Sequence, residues 1–217
     1  MFTDVHALIF DMDGVIIDSE PLHAETKRQT LVHYGLDFPP EFFDQFKGMP
    51  DHDTFEYVVA NYLHDTHTVD EVLAYKRDLY RAIFPKLQTI PGALDFLAEA
   101  RPRYDKFALT TSAFPENQQK SFARFDLAHW FDVVVTQADV TQHKPHPAPY
   151  LKALELLNLP AAACVVIEDS VNGVKSGKAA GCRVIGLTTS FSEEELRKVG
   201  ADVIVPDFQT LRHLLLT

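Results

Sequence analysis

The hydrophobic residues form short continuous runs in one part of the chain and recur at helical spacing between those runs. The continuous runs predict buried strands at 7–10, 107–111, 133–135, 164–167, 183–187 and 203–205. The helical spacing predicts helices at about 93–100, 115–125, 147–157, 171–180 and 193–199, with one more after the last strand. Strands that are apolar throughout and alternate with helices are typical of a parallel sheet covered on both faces.

Residues 18–88 show no strand pattern. Ser19-Glu20-Pro21 is typical of a helix start, with a capping hydroxyl, an acid and a Pro near the first helical position. Apolar residues then recur at helical spacing at 55–63 and 72–83. The sequence therefore predicts an α/β fold: a Rossmann-like parallel sheet core formed by 1–17 and 89–217, with an all-helical domain, 18–88, inserted after the first strand.

Composition and charge exclude several classes of protein. A chain of 217 residues with 46% hydrophobic residues can bury a full core, and a net charge of −11 disfavours a nucleic-acid binder. The start of the chain has no basic or long apolar segment, so we expect a cytoplasmic protein with neither a nucleic-acid nor a membrane partner. Cys164 and Cys182 adjoin apolar runs and are expected to be buried thiols without a disulfide.

Polar residues follow the ends of several predicted strands. Asp11-Met12-Asp13 follows the first strand, Thr111-Ser112 the second and Glu168-Asp169 the fourth, and Lys144 stands before a predicted helix. Because ligands bind beyond the carboxyl ends of parallel strands, these groups are expected to form one polar site. Mg²⁺ prefers oxygen ligands and would offset the repulsion between the carboxylates, which suits the set to phosphoryl transfer.

Structural roles for the same residues stay open at this point. The Asp-x-Asp-Gly pattern is also an ordinary acidic turn. Thr111 could be only a strand residue, with Thr110 beside it as a competing choice, and Lys144 could be a solvated loop lysine. Asp169 or Ser170 could cap the next helix.

Four segments, in this order, resemble the motifs of the haloacid dehalogenase superfamily: Asp11-Met12-Asp13-Gly14, Thr111-Ser112, Lys144-Pro145 and Ile167-Glu168-Asp169-Ser170. The helical insert resembles the helical cap of that family. Further segments resemble the β-phosphoglucomutase and sugar-phosphatase branch: Asp18 to His23, Lys47-Gly48, and Glu168 to Ser170 followed by Gly173 and Ala179-Ala180-Gly181.

The resemblance implies a role for each acid. Asp11 would be the nucleophile that forms an aspartyl-phosphate and also a ligand of Mg²⁺. Asp13 would protonate the leaving group and then activate water, and its backbone carbonyl would bind the metal. Asp169, helped by Glu168, would complete the metal site, and family members differ over which of the two binds directly.

The resemblance also implies which residues bind the phosphoryl group. Thr111 and Lys144 would hold its oxygens, and Ser112 would contribute a backbone N–H. In the inserted domain, His23, Lys47 and His52 are candidate substrate-binding residues.

The same resemblance bears on the choice between a hydrolase and a mutase. A phosphosugar mutase must hold a second phosphate, and Asp51 stands where such mutases have an Arg. An acid there would repel that phosphate, although Lys47 or His52 could partly compensate.

We therefore expect a Mg²⁺-dependent phosphatase of a small phosphorylated metabolite, a sugar or polyol phosphate, acting through an aspartyl-phosphate. Its partner would be that small-molecule phosphate ester, and the protein would be a monomer or weak oligomer. The alternatives are a phosphosugar mutase and a non-catalytic binding or regulatory protein on the same fold.

Overall fold

The structure is a computed structural model that describes residues 4–46, 49–64 and 66–217. Its helices and strands are, in chain order, β1 (Ala7–Phe10), β2 (Ile17–Asp18), α1 (Glu20–His33), α2 (Asp51–Val58), α3 (Val69–Ile83), β3 (Gln88–Thr89), α4 (Ala93–Ala100), β4 (Lys106–Thr110), α5 (Pro115–Phe125), β5 (Val133–Val135), α6 (Ala148–Leu157), β6 (Cys164–Glu168), α7 (Val171–Ala179), β7 (Arg183–Leu187), α8 (Glu193–Lys198), β8 (Val203–Val205) and α9 (Phe208–Leu216). Short 3-10 segments lie at Pro40–Phe46, Phe84–Lys86, Gln137–Asp139 and Ala161–Ala163, and a π-helical turn, Val59–Leu63, continues α2.

The chain divides into two compact units. One takes in the chain up to Asp18 and from Thr89 onward, and the other spans Ser19–Gln88. In the part of the chain that the structure describes, no helix has the length and hydropathy that crossing a bilayer requires.

The first unit is built on a six-stranded parallel sheet with the order β5-β4-β1-β6-β7-β8. In its centre, Phe10 of β1 lies opposite Leu109 of β4 and Ile167 of β6, so that these three strands end nearly level. The four residues of β1 have no exposed surface, as expected for a strand between two layers of helices. The predicted Rossmann-like α/β fold is confirmed.

The core on one side of the sheet is formed by alternate strand residues and the helices that cover them. Ile9 and Val166 of the sheet belong to a buried cluster with Tyr150 and Leu154 of α6. Cys164 also lies in this cluster, as does Cys182, and both are buried free thiols. Tyr150 therefore has its ring in the core while its hydroxyl can reach the end of the sheet.

The second unit is helical, with its own apolar core of residues from α1, α2, the π-helical turn and α3: Leu31, Phe55, Val58, Val59, Leu63 and Val72. The prediction that the Ser19 hydroxyl caps α1 is wrong. Ser19 stands at the N-cap position but has helical angles, φ −90° and ψ −20°, and makes no side-chain cap hydrogen bond. A residue whose side chain caps a helix typically has non-helical, extended backbone angles.

The hydroxyl of Thr110, at the end of β4, is buried and has no hydrogen-bond partner among the described residues. Because an unpaired buried hydroxyl loses its hydration without compensation, we expect Thr110→Val to raise the free energy of unfolding by about 1 kcal/mol. Urea unfolding of the variant and the wild type measures this difference in free energy. Thr30→Val is the matched control, because that buried hydroxyl donates to the Thr26 carbonyl at 2.7 Å, and it should lower stability instead. A Thr110→Val protein less stable than wild type would contradict the expectation.

Candidate active site

Three carboxylates meet at the carboxyl ends of the central strands. Asp11 directly follows β1, Glu168 is the last residue of β6, and Asp169 follows it. Each offers a carboxylate oxygen within 4.8 Å of the others, and all three residues are buried. Asp13 lies close enough to Asp11 to add to the electrostatic cost of charging it. The structure thus brings together the four acids that the sequence singled out.

Lys144 lies among these acids and is not a solvated loop lysine. Its Nζ donates to Asp11 Oδ1 at 2.6 Å, to Glu168 Oε1 at 2.7 Å and to the Thr110 carbonyl at 3.0 Å. Its side chain is only 6% exposed. Burial lowers the pKa of Lys144, but the Asp11 and Glu168 carboxylates outweigh it and hold that pKa above its ordinary value. The site therefore contains one permanent positive charge.

Both carboxylate oxygens of Glu168 accept hydrogen bonds from its neighbours. Its Oε1 accepts from Lys144 and from the Tyr150 hydroxyl at 2.9 Å. Its Oε2 accepts from the backbone N–H groups of Asp169 and Ser170 and from the Ser170 hydroxyl, at 2.9 to 3.0 Å. Two carboxylate oxygens have about four lone-pair sites, so these donors saturate the group. Glu168 is thus better placed to hold Lys144 and the following turn than to bind a cation directly.

Ser170, rather than Asp169, caps the helix that follows β6. Its Oγ accepts from the Gly173 N–H at 3.0 Å at the start of α7. Gly173 is required there, because a Cβ would lie 1.6 Å from Glu168 Oε1. Because Ser170 caps α7, the Asp169 carboxylate is free of that role and lies in the acid cluster.

The buried negative charges of the acid cluster would be stabilised by a bound cation. Burial raises the pKa of Asp11 to about 7, Lys144 opposes this, and the charges of Glu168 and Asp13 add to it. Burial, followed by the charges of Glu168 and Asp11, raises the pKa of Asp169 well above its ordinary value. A divalent cation would offset both effects, and a donor set made only of oxygens suits Mg²⁺. The residues present therefore fit the predicted metal.

Thr111 and Ser112 form the turn after β4. Thr111 is buried; its N–H donates to the Val135 carbonyl at 2.9 Å, and its hydroxyl accepts from the Ala113 N–H at 3.0 Å. Ser112 is exposed. Because β4 ends at Thr110, Thr111 is the first residue past the strand end.

In the second unit, five side chains form a partly buried network around Lys76. Lys76, 4% exposed, pairs with Asp51, and its Nζ lies 3.3 Å from His23 Nδ1. Lys27 Nζ lies 3.4 Å from Asp51. The His23 ring stacks on Tyr80 with 4.7 Å between ring centroids. Asp51 therefore neutralises a buried ammonium.

The other two predicted residues of this unit lie elsewhere. His52 is exposed on α2, beside Asp53 and Glu56. Lys47 lies outside the described residues.

His23 should titrate far below the ordinary range of a histidine. Burial, with the charge of Lys76 adding to it, lowers the pKa of His23 to about 4. His23 of the unfolded chain binds a proton near pH 6.5, whereas His23 of the folded protein binds one only near pH 4. The free energy of unfolding should therefore fall as the pH drops from about 6.5 toward 4. Histidine NMR titration measures the pKa, and Lys76→Met should raise it. A wild-type His23 that titrates near 6.5 would contradict this.

Sequence reasoning missed three residues of the first unit. Tyr150 holds Glu168, and the Thr189 hydroxyl donates to the Gly14 carbonyl at 2.5 Å. Ser190 Oγ lies beside the Asp169 carboxylate, with both groups packed against Gly14. The rule that polar residues gather past strand ends applies equally to Thr188-Thr189-Ser190, which follows β7. Tyr150 gave no such signal, because an aromatic residue in an amphipathic helix is usually a core residue.

Comparison with known proteins agrees with these observations. The family described as haloacid dehalogenase-like hydrolase matches residues 8–187. A phosphorylated carbohydrates phosphatase of Thermotoga maritima is 30% identical over 213 residues, covering 97% of this chain and 98% of that protein. Glycerol-1-phosphate phosphohydrolase 2 of Saccharomyces cerevisiae is 32% identical over 222 residues, covering 96% and 84%. A crystal structure of a candidate beta-phosphoglucomutase from Thermotoga maritima, 30% identical, covers 97% of this chain and 98% of that chain with a TM-score of 0.84.

Proposed function

The chain belongs to the haloacid dehalogenase-like hydrolases, and on that premise we propose that it is a Mg²⁺-dependent phosphatase acting through an aspartyl-phosphate on Asp11. Hydrolysis of small phosphate esters agrees with relatives named as phosphatases of phosphorylated carbohydrates and of glycerol 1-phosphate, which favour a sugar or polyol phosphate as substrate. The observation that supports the mechanism best is the buried contact of Lys144 with the Asp11 carboxylate, beside Asp169.

In the first step, a carboxylate oxygen of Asp11 attacks phosphorus. The bond from phosphorus to the ester oxygen breaks, and Asp13 gives its proton to the leaving alkoxide. Lys144 fixes the orientation of the Asp11 carboxylate through its 2.6 Å contact with Oδ1. In the second step, Asp13 takes a proton from water as the water oxygen attacks phosphorus, which releases phosphate and restores the Asp11 carboxylate.

The remaining residues bind the metal and the phosphoryl group. The Asp11 and Asp169 carboxylates and the Asp13 carbonyl would hold Mg²⁺, which supplies positive charge to the phosphoryl oxygens when bound. Lys144 and Thr111, with the Ser112 N–H, would hold the phosphoryl oxygens that the metal does not reach. Positioning and charge stabilisation of this kind account for most of the catalysis in phosphoryl transfer.

The network in the second unit favours hydrolysis over mutase activity. A mutase needs a cation for the second phosphate of a bisphosphate, but Asp51 already pairs with Lys76 and lies near Lys27. Their charges are therefore partly neutralised before any substrate binds. The second unit corresponds to the helical cap of the family, and His23, Lys47 and His52 remain our candidates for contacts that select the substrate.

A substrate panel tests this proposal. We expect the protein to release free phosphate from sugar and polyol monophosphates in the presence of Mg²⁺. In EDTA it should not hydrolyse them. Conversion of a sugar phosphate into its positional isomer without release of phosphate would show a mutase. No turnover of any ester in the panel would favour a binding or regulatory protein.

A further inference from the structure

The loop that follows β7 contacts the acid cluster through two hydroxyl groups. Thr189 Oγ1 donates to the Gly14 carbonyl at 2.5 Å, which ties the loop to the turn that carries Asp13. The next residue, Ser190, has its Oγ beside the carboxylate of Asp169, since both groups lie against Gly14. The β7 loop thus reaches both acid-bearing segments, after β1 and after β6.

The space around Gly14 shows how closely these groups approach one another. Gly14 has a φ of +78°, and a Cβ built on it would lie 1.8 Å from Asp169 Oδ2 and 2.8 Å from Ser190 Oγ. The carboxylate and the hydroxyl therefore both pack against the bare Cα of Gly14. This contact is possible only because residue 14 has no side chain.

Asp169 needs such a partner because its neighbours repel it. Asp11 and Glu168 each present a carboxylate oxygen within 4.8 Å of one on Asp169, whereas Ser190 presents a hydroxyl group, which can donate a hydrogen bond. A carboxylate that must bind a cation also has to present a fixed oxygen, and a donor on that carboxylate restricts its rotation.

We propose that Ser190 is a positioning residue for the cation site: its hydroxyl holds the Asp169 carboxylate in the orientation that binds Mg²⁺, and Thr189 holds the loop in place. This inference rests on the proposed function. Ser190 acts through Asp169, so its removal should weaken cation binding more than it slows turnover at saturating Mg²⁺. Groups of this kind typically change metal affinity by about 10- to 100-fold.

The test is calorimetric titration of the substrate-free protein with Mg²⁺, which is independent of turnover. We expect Ser190→Ala to weaken Mg²⁺ binding about 10-fold, and Ser190→Thr, which keeps a hydroxyl, to restore most of it. The Mg²⁺ concentration for half-maximal phosphatase activity should rise by a similar factor, with kcat at saturating Mg²⁺ within about 2-fold of wild type.

Ser192 is the matched control, two residues further along the same loop. Its hydroxyl accepts from the Glu195 N–H at the start of α8 and does not contact the acid cluster. Ser192→Ala should therefore lower stability through the lost helix cap and leave Mg²⁺ affinity unchanged. Equal Mg²⁺ affinity in Ser190→Ala and wild type would overturn the inference, as would an equal loss in both variants. Failure of the wild type to bind Mg²⁺ would instead overturn the proposed function.

Discussion

Asp11→Asn is expected to lower kcat for every substrate by more than about 10⁴-fold, because an amide cannot take the phosphoryl group. The change keeps the size of the side chain and replaces a carboxylate that Glu168 and Asp13 repel, so the fold should be retained. Steady-state phosphate release measures the loss, and thermal unfolding checks that the variant is folded.

The control is Asp105→Asn, on a carboxylate that is 72% exposed and pairs with His6 on the surface of the same unit. It should leave kcat unchanged. If Asp11→Asn retained more than about a tenth of the wild-type rate while remaining folded, Asp11 would not be the nucleophile.

Lys144→Met is expected to lower the free energy of unfolding by about 3 kcal/mol in EDTA and to abolish activity. The variant keeps an apolar stem of similar length but leaves Glu168, which has no exposed surface, without its cation. Removing one partner of a buried ion pair typically costs about 3–5 kcal/mol. Urea unfolding followed by circular dichroism measures the change.

Lys152→Met is the matched control on α6. Lys152 Nζ lies 2.9 Å from Glu155, but both side chains are at least 35% exposed, so this pair should contribute at most about 0.5 kcal/mol. Comparable losses of stability in the two variants would show that Lys144 is not held as a buried charge.

The architecture could be predicted because continuous apolar runs and apolar residues at helical spacing occur in different segments of the chain. Apolar runs such as 164–167 mark strands buried on both faces, and the regular alternation with helices limits the sheet to a parallel one. Strand and helix bounds differ from prediction mainly at their ends, where Thr111, for example, falls one residue past β4. The resemblance to the haloacid dehalogenase superfamily is likewise confirmed.

The separate roles of Glu168, which holds Lys144, and Asp169, which is left to bind a cation, could not be predicted in the same way. Glu168 and Asp169 are chemically similar neighbours, and only the donors around Glu168 distinguish them. Tyr150 reaches the cluster through tertiary packing, which single-residue patterns do not encode. The pairing of Lys76 with Asp51 likewise joins two helices that are separate in the sequence.

The most direct test of the account is to trap the phosphoryl group on the protein. In Asp13→Ala with Mg²⁺ and p-nitrophenyl phosphate, nitrophenolate leaves without needing an acid, whereas the second step has lost its base. We predict that acid quenching followed by peptide mass spectrometry finds one phosphoryl group on Asp11. Release of one equivalent of nitrophenol with no phosphoryl group on Asp11, or with the group on another residue, would contradict the account.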